Sequence, residues 1–482
     1  MDLYLLGPEL SLIGLAVLVI LLDLATKNKN AVAALAGVGL VIPAAWTIAL
    51  LGQHGSSFYG ALVVDSYSIF FKLIFLSAAA LVILTSVQYS KRFAPYQGEY
   101  YGVILMATAG MMLMASTQEL IAIYISLELA SISLYVLASF LRDAKSSEAG
   151  IKYLLLGAVS SAILLYGMAL LYGATGSTQL NEIAQVLQDS LQRDPGGILP
   201  AILLGTVFMV GGFGFKIAAV PFQMWAPDVY EGAPTPITGF LTAASKAAGF
   251  AVILRVFFVA LGNHYPLPVD WPALFAVLSA LTMTVGNLAA MAQTNIKRML
   301  AYSSIAHAGF MLVGVAAFST QGIGGVAYYL LGYTFTTMGA FAAIVAISER
   351  LGSDQIADYS GMARRAPLLA FVLAVCLVSL IGLPPTAGFV AKIYVFWAAL
   401  NQGLLWLVIF GVLNSVVSAY YYLRVVRAMY LGAPASEERL PASKPLIAAL
   451  AIALVGVLAI GLFPQPWLDF GTGAAVVLIP LP

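Results

Sequence analysis

Apolar runs of about twenty residues follow one another along almost the whole chain, from Leu3 to Phe463, with short polar segments between them. About 20 residues of helix cross the roughly 30 Å hydrocarbon layer of a bilayer, so run length is the primary signal. The pattern predicts fourteen transmembrane helices, at 3–24, 31–51, 66–88, 99–116, 118–140, 149–174, 198–220, 236–261, 272–291, 299–317, 323–348, 367–402, 404–426 and 445–463. The fold class read from this is an all-α polytopic membrane protein.

Composition agrees. Hydrophobic residues occupy 61% of the 482 positions and charged residues 9%, against roughly 45–50% and 25% in soluble domains. The longest segments outside the runs, 175–197, 349–366 and 427–444, are about twenty residues each and leave no space for a nucleotide, haem or cluster-binding module. Cys376 is the single cysteine and lies within a run, so an iron–sulfur cluster, which needs about four thiolates, is excluded. No cofactor or metal site is expected in the chain, and no nucleic-acid partner. Before Lys27 there is no Lys or Arg, so the basic start of a cleavable signal peptide is missing and the first helix is expected to stay.

Charge settles the orientation expected of these helices. Short cytoplasmic loops collect Lys and Arg. Alternating the loops puts sixteen basic residues on one side, among them Lys91, Arg92, Lys145, Lys152, Lys297, Arg298, Arg350 and Lys444, and Arg193 alone on the other. That asymmetry predicts an even number of spans with both termini on the outer, periplasmic side.

Five basic residues remain inside the runs: Lys72, Lys216, Lys246, Arg255 and Lys392. A charge at the bilayer centre costs about 2.5 to above 10 kcal/mol, so each must be paired, hydrated or snorkelled. Lys72 and Arg255 lie about seven residues from the outer ends of their helices, about 10 Å of rise, and are expected to snorkel. Lys216 and Lys246 are deeper. Glu128 is the one mid-helix carboxylate, so it faces more central lysines than it can pair. A structural ion pair is one reading; proton handling is the other, because a buried lysine without a carboxylate loses its proton readily whereas arginine does not. His307, in AYSSIAHAGF beside Tyr302, Ser303 and Ser304, suits either a proton relay or an ordinary interior histidine. His54 and His264 fall in outer loops.

Two helices are interrupted. Residues 367–402 are too long for one straight crossing and contain IGLPPTAGF, with Lys392 just beyond; the seventh run ends in VPFQMWAPDVYEGAPTP, directly after Lys216. Gly/Pro-broken helices at corresponding places in two halves mark transporter ion sites. The seventh and twelfth helices are five apart, which predicts two inverted five-helix repeats, helices 4–8 and 9–13. The expected units are 1–98 (helices 1–3), 99–261, 262–426 and 427–482 (helix 14 and tail). Both lysines at the breaks are expected in polar, hydrated surroundings.

The strings GFGFKIAAVPFQMWAPDVYEGAPTPITGFLTAASKAAGF, NIKRMLAYSSIAHAGFMLVG and LIGLPPTAGFVAKIYVFWAAL resemble the antiporter-like membrane subunits of respiratory complex I, the proton-translocating NADH:quinone oxidoreductase. The resemblance spans essentially the whole chain and is greatest to the N-type branch. The L-type carries a long C-terminal lateral helix, and the M-type usually has glutamate where Lys392 stands. The resemblance implies that Glu128 and Lys216 form the ion pair of a first half-channel, that Lys246 connects, that His307 relays, and that Lys392 is the exit site. It also implies M-type and K-type neighbours in a bacterial inner membrane. NADH, FMN, iron–sulfur clusters and quinone would belong to partner subunits, so the chain would be a non-redox part of a translocase. Gln223 departs from the histidine usual after the broken seventh helix. The competing classes are an independent cation/proton antiporter and a passive structural subunit.

Overall fold

The computed structural model describes residues 2–479 except 194, 263–269, 435 and 437, so His264 lies outside the described residues. In order, the helices are α1 (Gly7–Ala25), α2 (Lys29–Gly39), α3 (Val41–Ala49), α4 (Ser66–Tyr89), α5 (Gln97–Ser116), α6 (Leu120–Ala138) and α7 (Ala144–Thr175). Then come α8 (Leu180–Arg193), α9 (Pro195–Ile217), α10 (Trp225–Gly232), α11 (Thr235–Phe240), α12 (Lys246–Arg255), α13 (Trp271–Met291) and α14 (Ile296–Ala316). The last are α15 (Thr320–Leu351), α16 (Met362–Arg365), α17 (Pro367–Ile381), α18 (Ala387–Asn401), α19 (Leu405–Leu431), α20 (Lys444–Leu462) and α21 (Pro464–Ala475). A short hairpin, Gly55–Ser57 against Leu62–Val64, joins α3 to α4.

Among the described residues, twelve helical stretches are long and apolar enough to cross a membrane. One of them, Ser66–Ser116, is α4 and α5 joined through a 3-10 segment at Ser90–Tyr96; α17 and α18 are shorter apolar helices of 15 residues each. Two elements exceed what the apolar runs foretold. The segment read as an outer loop at 175–197 contains α8, whose Leu180, Ile183 and Leu187 are buried, and the C-terminal tail forms α21.

Helix ends follow local chemistry. Both 32-residue helices start at a side chain that accepts a backbone N–H, Asp143 for α7 and Ser319 for α15, and both stop at a left-handed glycine, Gly176 and Gly352. The innermost layer is α14, α15 and the α11–α12 segment, which are buried almost all round, whereas α7, α19 and α20 turn rows of exposed Leu, Ile and Val outward. An apolar helix in a bilayer can face lipid, but these three are enclosed by protein on almost every side. That enclosed layer carries Lys246 and His307.

Two departures from regular helix flank α12: π-turns at Leu241–Ser245 and Val256–Ala260. The first ends directly before Lys246. Such turns widen a helix locally and re-aim the side chain that follows.

Candidate functional site

The first break follows Lys216. α9 stops at Ile217, Ala218 takes φ +57, the Val220–Pro221 bond is cis, and the chain resumes as the short α10. Its backbone groups find other partners: Val220 N–H donates to Thr282 Oγ1 (3.0 Å), and the Trp225 indole donates to the carbonyl of Phe215 (3.0 Å). Lys216 Nζ donates to Ser131 Oγ at 2.9 Å. A cavity of about 10 Å³ beside it is lined by the hydroxyl residues Ser131, Tyr135, Tyr153, Ser160 and Ser161.

The expected Glu128–Lys216 ion pair is not formed. Among the described residues no carboxylate oxygen lies within 4.0 Å of Lys216. Glu128 instead accepts from Ser161 Oγ. It is half-buried, at the edge of a stripe of exposed isoleucines on α6, Ile121, Ile125 and Ile132. Ser131, one turn along α6 from Glu128, stands in the position of Lys216's partner. Sequence reasoning placed Glu128 correctly at mid-helix, but a lone Glu in an apolar run does not tell which face it occupies.

Lys246 is 2% exposed and donates to Ser304, both to its carbonyl and, at 2.6 Å, to its Oγ. Tyr230 OH reaches the same Oγ at 3.5 Å. One turn further along α14, His307 Nδ1 meets Tyr329 OH at 2.7 Å and Nε2 meets Tyr422 OH at 3.1 Å, while Tyr422 also bonds Ser303. Ser303, Ser304, His307 and Phe310 share one side of α14 over about 10 Å of rise. The serines beside His307 were foreseen as its surroundings. Its partners Tyr329 and Tyr422, and Tyr230 at Ser304, were not, because the three tyrosines come from three other helices and only the packing joins them.

At the second break, α17 ends on Gly382 at φ +88, Pro384–Pro385 is cis, and α18 starts at Ala387. Lys392 Nζ donates to the carbonyls of Leu380 (3.2 Å) and Ile381 (2.8 Å), the open C-terminal end of α17, and lies 4.3 Å from the ring centre of Phe310. A Cβ on Gly382 would come within 2.9 Å of Lys392 Cδ, so glycine serves both the turn and the lysine stem. The two breaks are therefore not copies. Lys216 precedes its break and bonds a neighbouring helix; Lys392 follows its break and bonds the other half of its own.

Lys246, Ser304, His307 and Phe310 thus run along α14 towards Lys392. Hydrogen bonds join Lys246 to Ser304, His307 to Tyr422 and Tyr422 to Ser303, and the Phe310 ring fills the step to Lys392. Between Lys216 and Lys246 the close approach is through Gly249, where a Cβ would lie 3.2 Å from Lys216 Cγ, and Ser245 Oγ there is buried without a partner.

Lys72 and Arg255 do not snorkel. Lys72 pairs with Glu9 at 2.7 Å with both side chains 1% exposed, and Arg255 grips Asp65 through two bonds of 2.9 and 3.1 Å while donating to the carbonyl of Ala115. The hidden signal was at the helix ends: Glu9 in the first turn of α1 and Asp65 capping α4 are brought opposite these cations by packing.

At the end of the bundle that carries the basic loops, Lys145 bonds Glu231, Lys152 bonds Asp228, Arg298 bonds both carboxylates, and Arg92 pairs with Glu349. Burial alone would raise the carboxyls of Asp228 and Glu231. Hydrogen bonds from Lys152 and Arg298 to the first, and from Lys145 and Arg298 to the second, outweigh it and hold both below the ordinary carboxylate range. A polar cavity of about 210 Å³ opens here between Asp143, Glu231, Lys297 and Asp354. At its wall Lys297 Nζ donates to the carbonyls of Glu231 and Ala233 at 2.8 and 2.9 Å.

Residues 116–418, well over half of the chain, match the family described as NADH:quinone oxidoreductase/Mrp antiporter, TM. The chain belongs to the NADH:quinone oxidoreductase/Mrp antiporter family. The NADH-quinone oxidoreductase subunit N of Moorella thermoacetica is 46% identical over 466 residues, covering 96% of this chain and 95% of the relative. A chain of respiratory complex I from Thermus thermophilus with bound aureothin superposes with a TM-score of 0.81 at 36% identity, covering 96% of this chain and 98% of that one. A chain of the Mrp complex from Dietzia sp. superposes with a TM-score of 0.87 at 22% identity, covering 100% and 98%, which shows the shared fold. In this member of the NADH:quinone oxidoreductase/Mrp antiporter family, Gln223 lies just past the first break with its Oε1 buried and without a hydrogen-bond partner.

Proposed function

We propose that this chain is the N-type subunit of the membrane arm of NADH-quinone oxidoreductase and moves protons along Glu128, Lys216, Lys246, His307 and Lys392. The observation that carries the reading is that Lys216, Lys246 and Lys392 are buried, yet bond only hydroxyls and carbonyls. A carboxylate would hold a lysine charged. Neutral acceptors leave both protonation states open. Tyr230, Tyr329 and Tyr422 extend the set of hydroxyls able to pass a proton.

Fourteen spans follow if Ser66–Ser116 is counted as two crossings and α17 with α18 as one broken crossing. With both termini outside, the basic cluster and the 210 Å³ cavity face the cytoplasm of a bacterial inner membrane and serve as the proton inlet. The units 1–98, 99–261, 262–426 and 427–482 keep their proposed roles, the middle two as inverted repeats each holding one break. Half-buried Glu128 on an outward face fits cover by a neighbouring subunit of the M or K type, since a carboxylate facing lipid is costly. NADH, FMN, iron–sulfur clusters and quinone belong to other subunits; here the energy of electron transfer arrives as a change in the surroundings of these side chains.

The experiment is proton pumping by membranes oxidising NADH with Lys216→Ala or Glu128→Ala in a normally assembled complex. Lost pumping is expected. Unchanged pumping favours a passive structural role. The fold shared with the Mrp complex keeps an independent cation/proton antiporter as the second reading. Sodium-dependent proton exchange by this chain alone in vesicles would establish that reading and sink the first.

A further inference from the structure

A groove of about 640 Å³ lies between α2, α4 and the start of α20, away from the lysine line. Polar residues gather at one end: Asn30, Gln88, Lys91 and Ser443. Below them the walls are apolar, from Ala34 to Val38 on α2 and from Val87 back to Ala80 on α4, about 10 Å of helical rise. A second cavity of about 230 Å³ shares Gln88 and Ser443 and adds Arg350.

Charge at the polar end is positive and unspent. Among the described residues, Lys91 and Arg350 have no carboxylate oxygen within 4.0 Å, and the nearby Glu349 is taken by Arg92 at 3.4 Å. The 19-residue α20 begins here with Lys444, and its N-cap Ser443 makes no capping bond with its side chain. A helix N-terminus with a hydroxyl and two cations, none of them partnered among the described residues, above an apolar slot matches an anion attached to a hydrocarbon chain.

We infer that this groove holds one anionic phospholipid, its phosphate at Ser443 and Lys91 and an acyl chain between α2 and α4. The leaflet, that of the basic loops, rests on the orientation proposed above; the chemistry of the groove does not.

The test is native mass spectrometry of the intact complex, reconstituted in vesicles of equal phosphatidylglycerol and phosphatidylcholine and then released. The wild type is expected to keep phosphatidylglycerol on this chain in preference. Lys91→Gln is expected to lower that preference about fivefold, the usual worth of one basic residue near an anionic lipid. Ala34→Trp, at an exposed position on the groove wall, is expected to remove the retained lipid of either kind. Equal retention of both lipids, or unchanged retention in both variants, overturns the inference. So does cross-linking of Ala34→Cys to a neighbouring subunit, a clean readout because Cys376 is buried. Proton pumping is recorded on the same samples: lost pumping in relay variants with the lipid retained bears on function, and a lost lipid with normal pumping bears on the groove alone.

Discussion

The membrane-embedded cations of this chain fall into two kinds. Lys72 and Arg255 sit against carboxylates, Glu9 and Asp65, with every charged side chain at most 2% exposed. Lys216, Lys246 and Lys392 are buried as well, at 6, 2 and 5% exposed, but bond Ser131, Ser304 and the carbonyls of Leu380 and Ile381. In the first kind the ammonium or guanidinium is fixed as a cation, because losing the proton would strand a buried carboxylate. In the second kind no partner demands the charge. On the proposed function, burial alone therefore does not mark a proton site; the identity of the partner does.

The strongest way to sharpen this contrast is to break a paired cation. Asp65→Asn leaves Arg255 uncompensated, a loss of about 3–5 kcal/mol, so the amount of assembled complex should fall severely while pumping per assembled complex stays near normal. Arg255→Met together with Asp65→Leu should restore much of the assembly. Next comes the other kind: Lys392→Ala should assemble nearly normally and yet pump at least roughly a hundredfold less, the low end of what general acid–base groups contribute. Loss of assembly equal to that of Asp65→Asn would erase the distinction. A smaller effect is expected at Tyr422→Phe, which removes one hydrogen-bonding group from His307 and Ser303; a pumping loss of about fivefold corresponds to about 1 kcal/mol.

The smallest effect is at the surface cluster of Asp228 and Glu231. Their carboxyls are held below the ordinary range, so the stability they add is complete above the unfolded values of about 4 and is lost as pH falls through the lower folded values. The melting advantage of wild type over Asp228→Asn should therefore be constant from pH 8 to 5. Below that, wild type should lose its advantage over Asp228→Asn. The advantage should be about 1 kcal/mol or less, because Asp228 is 38% exposed and screened.

Much of this was legible in the chain. Run length gave the helical class, and IGLPPTAGF and VPFQMWAPDVY located both breaks, because proline and glycine act on the backbone where they stand. Glu128, Lys216, Lys246, His307 and Lys392 could be picked out because charge inside an apolar run is conspicuous. Their partners were hidden. Ser131, Tyr329 and Tyr422 are ordinary residues in transmembrane helices until packing sets them within 3.1 Å of a lysine or histidine. Snorkelling was the wrong expectation for Lys72 and Arg255 for the same reason: Glu9 and Asp65 lie 63 and 190 residues away in sequence and meet them only in the fold.

The most direct test exchanges lysine for arginine, which keeps the charge but holds its proton at any relevant pH. Lys246→Arg and Lys72→Arg are compared in proteoliposomes containing the whole complex, counting protons translocated per NADH oxidised. The prediction is near-normal stoichiometry with Lys72→Arg, whose pair with Glu9 survives, and a clear drop with Lys246→Arg at equal assembly. Normal stoichiometry with Lys246→Arg would contradict the claim that this lysine gives up its proton.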